Sequence, residues 1–351
     1  MRGLISFIIC SNGYGHFKRV LAVCRELQNG KSNISIHVFC SPNHLDFLEN
    51  EPNFLLLTDT VSFHTDLFHK EPKWVMDPNS IERASWEAWI DEIKSNAIIN
   101  SSKIIVSDNQ VAPVILDKEV ILMGSFLWPL IRLEQTRKEF LELQLIERKM
   151  LLERKVDCIC VGDIRMPIID KYTNPIKSPW FCSKSIDRKQ KYIEKKKASI
   201  LITGGGTKML TELLVELYKQ MSILAKFNIY VDSNLFWHLN ELGENPNKFP
   251  FNEESFNELD LIICRPGVGI LTDAVTYNIP VSVLEEDNEE IIHNAKTVEK
   301  LGLGIIYKEV NDVINMMRNK FFLNQCIKNL ENRKTEGALF TAEYLRNKIS
   351  K

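Results

Sequence analysis

Residues Leu261 to Gly304 read LIICRPGVGILTDAVTYNIPVSVLEEDNEEIIHNAKTVEKLGLG. The run Leu259–Cys264 has the length and composition of a strand buried on both faces of a parallel sheet. Arg265-Pro266-Gly267-Val268-Gly269 breaks it, and the spacing predicts a helix from about Ile270 to Tyr277 with Asn278 as its stop. The first N–H groups of such a helix lack intrahelical partners and favour negative charge. Two glycines let an anion approach the backbone, and Arg265 can fork onto phosphate oxygens, so the turn suits a diphosphate. Ile279–Leu284 reads as the next strand. Glu285-Glu286-Asp287-Asn288-Glu289 stands at its carboxyl end, where open α/β sheets bind ligands. Two readings of that cluster stay open: acceptors for ribose or sugar hydroxyls, or an exposed loop with a helix cap at Asp287 or Asn288. Strand, glycine turn, helix and strand form the repeating unit of a doubly wound domain.

The same pattern opens the chain. Leu4–Cys10 is an apolar strand running into Ser11-Asn12-Gly13-Tyr14-Gly15-His16-Phe17-Lys18-Arg19, and Val20, Leu21, Val23, Cys24 and Leu27 follow at helical spacing. His16 falls at the carboxyl end of the strand, where an imidazole with an ordinary pKa of about 6.5 can act as general base on a hydroxyl or water. A helix-capping or interdomain histidine is the alternative. Arg19 lies one turn along the same helix face and can pair with an acid or a phosphate. Ser107-Asp108-Asn109 ends another strand at the same sheet edge, making Asp108 either the carboxylate that orients the imidazole or a helix cap.

Ile34–Cys40, Phe54–Leu57, Ile104–Ser107, Val120–Met123 and Val156–Val161 read as further strands of a first domain. Asp59–Asn79, with His64, His69, Pro72 and Trp74 and no clear period, reads as a long loop facing a cleft or an acceptor. Leu130–Lys155 is a helical pattern with an apolar stripe through Leu133, Phe140, Leu141, Leu145 and Leu152. Its mixed charge favours a solvated packing helix over a membrane-surface helix, which needs a cationic face; peripheral membrane contact stays open. Lys184–Lys197 sets seven Lys or Arg against Asp187 and Glu194 and reads as a linker. A second domain starts with Ser199–Thr203 and the turn Gly204-Gly205-Gly206-Thr207. That turn is either a second phosphate contact, with Thr207 supplying a hydroxyl, or a tight connection with no ligand.

At 351 residues, 44% hydrophobic and 26% charged, the chain has apolar material for two cores, and a net charge of −2 gives no general attraction to nucleic acid. Its eight cysteines show no metal-ligand spacing and fit free thiols of a reducing, cytoplasmic compartment. The apolar run after Met1-Arg2-Gly3 is too short to span a bilayer and lacks a small-residue cleavage site. The Gly204 turn lacks the Gly-Lys-Ser or Gly-Lys-Thr of a P-loop, and no Gly-x-Gly-x-x-Gly appears, which argues against an ATPase and dinucleotide redox chemistry.

From Ile200 to Leu345 the chain resembles the C-terminal half of nucleotide-sugar transferases related to the lipid-linked N-acetylglucosaminyltransferase of peptidoglycan synthesis. Gly13-x-Gly15-His16-x-x-Arg19 resembles the N-terminal motif of the same transferases, and more closely that of the nucleotide-sugar hydrolases of pseudaminic acid synthesis. The resemblance implies an α/β GT-B fold: two Rossmann-like doubly wound domains facing a cleft. The first spans 1–183, a linker 184–197 and the second 198–334, with a last helix over 335–351 crossing back. It implies that Gly267, Val268 and Gly269 hold a diphosphate. Asp273 would bind ribose, where the family usually has Glu, and Asn288, Glu289, His293 and Asn294 would form the sugar loop and its helix. Gly13, Gly15, Arg19, Arg265, Gly204, Gly205, Gly206 and Thr207 complete the expected donor site, with Phe249-Pro250-Phe251, Glu253 and Glu254 facing the base.

The expected reaction moves a sugar from a nucleoside-diphosphate sugar, a UDP-sugar first, to the hydroxyl of an acceptor glycan, lipid-linked glycan or small molecule. His16 would be the base and Asp108 its orienting carboxylate, with no metal, no cofactor, and inversion if displacement is direct. Glycine-turn N–H groups, helix dipoles and Arg265 would stabilise the departing diphosphate. Cell-envelope polysaccharide is the product class the resemblance implies. Two other readings stay open: a hydrolase or 2-epimerase of the same fold, and a non-catalytic nucleotide-sugar-binding subunit.

Overall fold

The computed structural model describes residues 3–11, 13–29, 34–49, 56–69, 83–131, 138–182, 197–205, 210–224 and 226–351. The chain divides into two compact units, one of Met1–Phe181 with Glu336–Lys351 and one of Cys182–Thr335.

In the first unit, seven parallel strands are ordered β3-β2-β1-β4-β5-β6-β7: β1 (Gly3–Ile9), β2 (Ile34–Phe39), β3 (Val61–His64), β4 (Ile104–Asp108), β5 (Glu119–Met123), β6 (Asp157–Val161) and β7 (Asn174–Ser178). The helices between them are α1 (Tyr14–Asn29), α2 (Pro42–Glu49), α3 (Arg83–Ser95), α4 (Ala97–Ser101), α5 (Lys138–Arg154) and α6 (Ile169–Tyr172). Ile5, Phe7, Ile8 and Ile9 of β1 are all fully buried, as is Ser6, whose hydroxyl pairs with that of Ser102 at 2.7 Å, which is why the run does not alternate.

The second unit holds six parallel strands ordered β10-β9-β8-β11-β12-β13: β8 (Ala198–Thr203), β9 (Phe227–Val231), β10 (Asn247–Lys248), β11 (Leu261–Cys264), β12 (Val281–Val283) and β13 (Gly304–Ile306). Its helices are α7 (Thr211–Ile223), α8 (Ser233–Glu241), α9 (Glu253–Glu258), α10 (Val268–Thr276), α11 (Glu289–Lys300), α12 (Val310–Arg318) and α13 (Lys320–Glu331). The last helix, α14 (Gly337–Ser350), packs on α1 of the first unit. At its start the Gly337 N–H donates to the Trp180 carbonyl at 2.9 Å, and a Cβ there would lie 2.4 Å from the Pro179 carbonyl oxygen, so only glycine fits.

Several expectations need correction. Leu56–Asp59 is a 3-10 turn and the third strand is Val61–His64, so the strand expected at Phe54–Leu57 is displaced; Phe54 and Leu55 lie outside the described residues. This edge strand buries only Val61, which left a thin apolar signal inside what read as a loop from Asp59 to Asn79. Asp66–His69 forms another 3-10 turn, while Pro72 and Trp74 lie outside the described residues. β7 escaped the sequence reading because NPIKS buries only Ser178. On α5, Leu141, Leu145 and Leu152 are exposed, and the buried face runs through Phe140, Leu143, Gln144, Glu147 and Leu151. Gln144 donates to the Trp128 and Ile131 carbonyls at 3.2 and 2.9 Å, so two buried polar residues masked the true stripe. Leu133 and residues 184–196 of the expected linker lie outside the described residues.

Candidate active site

Strand order reverses between β1 and β4, the place in a doubly wound sheet where loops part and ligands bind. His16, in the first turn of α1, and Asp108, the last residue of β4, meet there: His16 Nδ1 lies 2.6 Å from Asp108 Oδ1. Arg19 donates from Nε to Oδ2 at 2.9 Å and from Nη2 to Oδ1 at 2.6 Å. Asp108 is fully buried. Burial alone would raise its carboxyl, but the Arg19 guanidinium and then His16 outweigh burial and hold it below the ordinary aspartate value. An ionised carboxylate only accepts, so Nδ1 carries the hydrogen, and the neutral form of the imidazole is the tautomer with its lone pair on Nε2. The 3.2 Å approach of Arg19 Nη2 to His16 Nδ1 is therefore two donors converging on one oxygen. His16 keeps 16% side-chain exposure against 1% for Asp108. The arrangement fixes one tautomer and leaves an accessible basic nitrogen, which is what a general base needs.

His44, at the start of α2, escaped the sequence reading. It is buried, stacks on Phe17 at 4.8 Å between ring centroids, and donates from Nε2 to the Gly13 carbonyl at 3.2 Å. Burial pushes its imidazole down to about 4, so it stays neutral and keeps that donor. Gly13 has φ +78°, the left-handed region that favours glycine, and His44 thus braces the turn that delivers His16. A lone histidine 28 residues downstream carries no pattern that points to this.

In the second sheet the order reverses between β8 and β11. After β8, Asp232 of the β9–α8 junction accepts the Thr203 hydroxyl at 2.7 Å and the Gly204 N–H at 3.0 Å, and caps α8 through the Leu235 N–H at 2.9 Å. The Gly205 N–H donates to Thr203 Oγ1 at 3.1 Å. Two N–H groups of this turn are thus occupied by the protein itself, and the geometry favours the tight connection. Gly206 and Thr207 lie outside the described residues.

After β11, Arg265 donates from Nε and Nη2 to Glu286 Oε1 at 2.8 and 2.6 Å, so two of its nitrogens are engaged by the acidic cluster. α10 begins at Val268, two residues earlier than expected, with Gly267 as N-cap and no side-chain cap. Gly267 has φ −68°, and an added Cβ would meet only Arg265 Nη1, at 3.8 Å. The fold therefore does not require glycine there, whereas an anion approaching the N–H groups of Val268 and Gly269 would. Asp273 is half-buried in the same helix. Asn288 accepts from the Glu290 and Ile291 N–H groups at 2.9 and 3.4 Å and so caps α11 through its side-chain oxygen. Buried Asn294 donates to the Pro266 carbonyl at 2.9 Å, tying α11 to the Arg265 turn instead of offering a free amide. Glu289 is exposed at the start of α11, with half-buried His293 one turn on. Beyond β10, Phe251 has φ +55° and packs edge-on to Phe249 and Phe256, a strained turn for a bulky residue.

No known family's sequence profile matches the chain, and no curated protein matches it. Solved structures do. The chain is similar to the glycotransferase of kitacinnamycin, with TM-score 0.65 and 12% identity over 99% of each chain. It is similar to the spinosyn rhamnosyltransferase SpnG complexed with thymidine diphosphate, with TM-score 0.61 and 14% identity over 97% of this chain and 100% of that one. It is also similar to Phytolacca americana UGT2 complexed with UDP-2fluoro-glucose and pterostilbene, with TM-score 0.65 and 12% identity over 99% and 100%. At these identities the likeness shows the fold, GT-B with two Rossmann-like parallel-sheet domains.

Proposed function

We propose that this chain is a glycosyltransferase that moves a sugar from a nucleoside-diphosphate sugar to an acceptor hydroxyl. The observation that carries the reading is the His16–Asp108–Arg19 cluster at the switch point of the first sheet. An uncapped helix start flanked by Arg265 stands at the switch point of the second. That similar folds were solved with thymidine diphosphate and with a UDP-sugar supports a nucleoside-diphosphate donor here, UDP or dTDP first.

His16 Nε2 takes the proton of the acceptor hydroxyl as its oxygen bonds to the anomeric carbon. The bond from that carbon to the diphosphate breaks in the same displacement, so the anomeric centre inverts. The Val268 and Gly269 N–H groups stabilise the charge that develops on the departing diphosphate, helped by Arg265 Nη1, the guanidinium nitrogen that Glu286 does not engage, without a divalent cation. Asp273 and the start of α11, through Glu289 and His293, supply ribose and sugar contacts. The acceptor is a glycan, a lipid-linked glycan or a small molecule. Thermal melts with UDP, dTDP, GDP, ADP and CMP, with and without magnesium, test the donor site. A ligand at about 100 times its dissociation constant adds about 2.7 kcal/mol to the native state. Selective, magnesium-independent stabilisation by one diphosphate is expected; no shift with any of them sinks the donor site.

A further inference from the structure

The amino ends of β8 and β9 and the last turns of α7 and α12 surround an apolar cavity of about 190 Å³, lined by Leu224, Phe227, Ile314 and Met317 together with the exposed cations Lys226 and Arg318. Close in the chain to its lining residues come the two most exposed large apolar side chains among the described residues, Ile223 at 82% and Phe321 at 81%. Ile223 directly precedes Leu224, and Phe321 follows Arg318 by three residues. The two segments that bound the cavity carry charge of one sign, while exposed Glu258 ends α9 at the same edge of the sheet. Residues 217–228 and 313–330 carry Lys219, Lys226, Arg318, Lys320 and Lys328 and no Asp or Glu, in a chain whose net charge is −2. Asp260, at the amino end of neighbouring β11, is turned inward and accepts the Ser199 N–H at 2.8 Å.

Single exposed apolar residues are ordinary; two of them on the segments that line an apolar cavity, each with cations close by in the chain, are not. Apolar prongs ringed by cations match the boundary between headgroups and acyl chains of an anionic bilayer, where the prongs leave water and the cations meet phosphates. We propose that this pole of the second unit docks on an anionic phospholipid membrane through Ile223 and Phe321, with Lys226, Arg318 and Lys320 on the lipid phosphates. Nucleic acid would use the cations but leave both apolar chains in water. The Gly204 and Arg265 turns lie at the opposite, carboxyl edge of the same sheet, so docking leaves them open to a soluble ligand.

The test uses the full chain and vesicles of phosphatidylcholine alone or mixed with phosphatidylserine, with the bound fraction read by co-sedimentation across salt concentrations. Binding is expected only to the anionic vesicles, weakening as salt rises. Lys226→Gln and Arg318→Gln should each cost roughly fivefold in partitioning. Ile223→Ser combined with Phe321→Ser should abolish binding while leaving the thermal melt of these surface variants unchanged. Equal binding to both vesicle types, or binding that survives the serine pair and both glutamines, overturns the proposal. So does absence of vesicle binding, whether the chain retains duplex DNA, self-associates in a way the serine pair removes, or does neither. Vesicle binding is independent of the role given to His16, so either reading can fail alone.

Discussion

The two switch points of this molecule use charge in opposite ways. In the first unit, a buried carboxylate gathers an arginine and a histidine and leaves one imidazole nitrogen outward. In the second, carboxylates face inward on the turns themselves: Asp232 takes the Gly204 N–H, and Glu286 takes Arg265. The helix start after Gly267 is left without a side-chain cap. A glycine-rich connection is therefore not a ligand site by virtue of its glycines. What decides is whether an internal anion already occupies the N–H groups, and here one turn is occupied and the other is not.

The contrast breaks most visibly at Asp108. Asp108→Asn removes the charge that fixes the His16 tautomer and leaves Arg19 buried without a counter-charge, so turnover should fall roughly 10²- to 10⁴-fold and urea unfolding should register a loss of about 3–5 kcal/mol. Asp108 is held below its ordinary value, so its contribution is present at neutral pH and disappears as pH falls through the lowered value; the variant should lack that acid limb. His16→Ala should cost a similar factor in turnover, roughly 10²- to 10⁴-fold, while nucleoside-diphosphate stabilisation of the fold stays at the wild-type level.

A smaller effect comes from Glu147, buried in α5, where it accepts the Trp86 indole N–H at 2.9 Å. Burial pushes its carboxyl up to about 8, against the pull of that hydrogen bond. The folded chain then holds a proton that the unfolded chain gives up above about pH 4.5, so stability declines as pH climbs from there to about 8. Glu147→Gln keeps the acceptor and removes the linkage. Chemical denaturation should find it equal to wild type near pH 5 and more stable by roughly 1–3 kcal/mol at pH 8.

The smallest changes separate the two glycine turns. Asp232→Asn keeps a cap oxygen for Leu235 but loses acceptor capacity at Thr203 and Gly204, a cost of about 1 kcal/mol with little change in diphosphate affinity. Gly267→Ala should cost no more than about 0.5–1 kcal/mol, since its backbone suits alanine, yet weaken diphosphate binding in calorimetry. Equal affinity in Gly267→Ala and wild type would put the anion elsewhere.

Legibility in the sequence followed burial. β1, β4, β8 and β11 lie at the centres of their sheets, and their mainly apolar runs marked them to within one or two residues. The edge strands β3 and β7 are short and half polar, and local pattern missed both. At the candidate site, Gly-x-Gly-His-x-x-Arg and a strand-ending Asp pointed to a pairing that distance now supports. His44, Asp232 and Glu286 were invisible as partners because they reach the site across the sheet from other connections, and no spacing rule encodes that. Asn288 and Asn294 drew attention as polar groups near a strand end, but local cap chemistry and one buried carbonyl had the stronger claim on them.

The most direct test of the central claim follows nucleoside diphosphate and free sugar together, using UDP-glucose and a dTDP-deoxysugar with and without a panel of phenolic, macrolide and glycoside hydroxyl acceptors, for wild type and His16→Ala. The account predicts diphosphate release that depends on acceptor, no matching free sugar, and its loss in His16→Ala with donor binding intact. Release of diphosphate and free sugar in equal amounts without acceptor, unaffected by the His16 change, would contradict it.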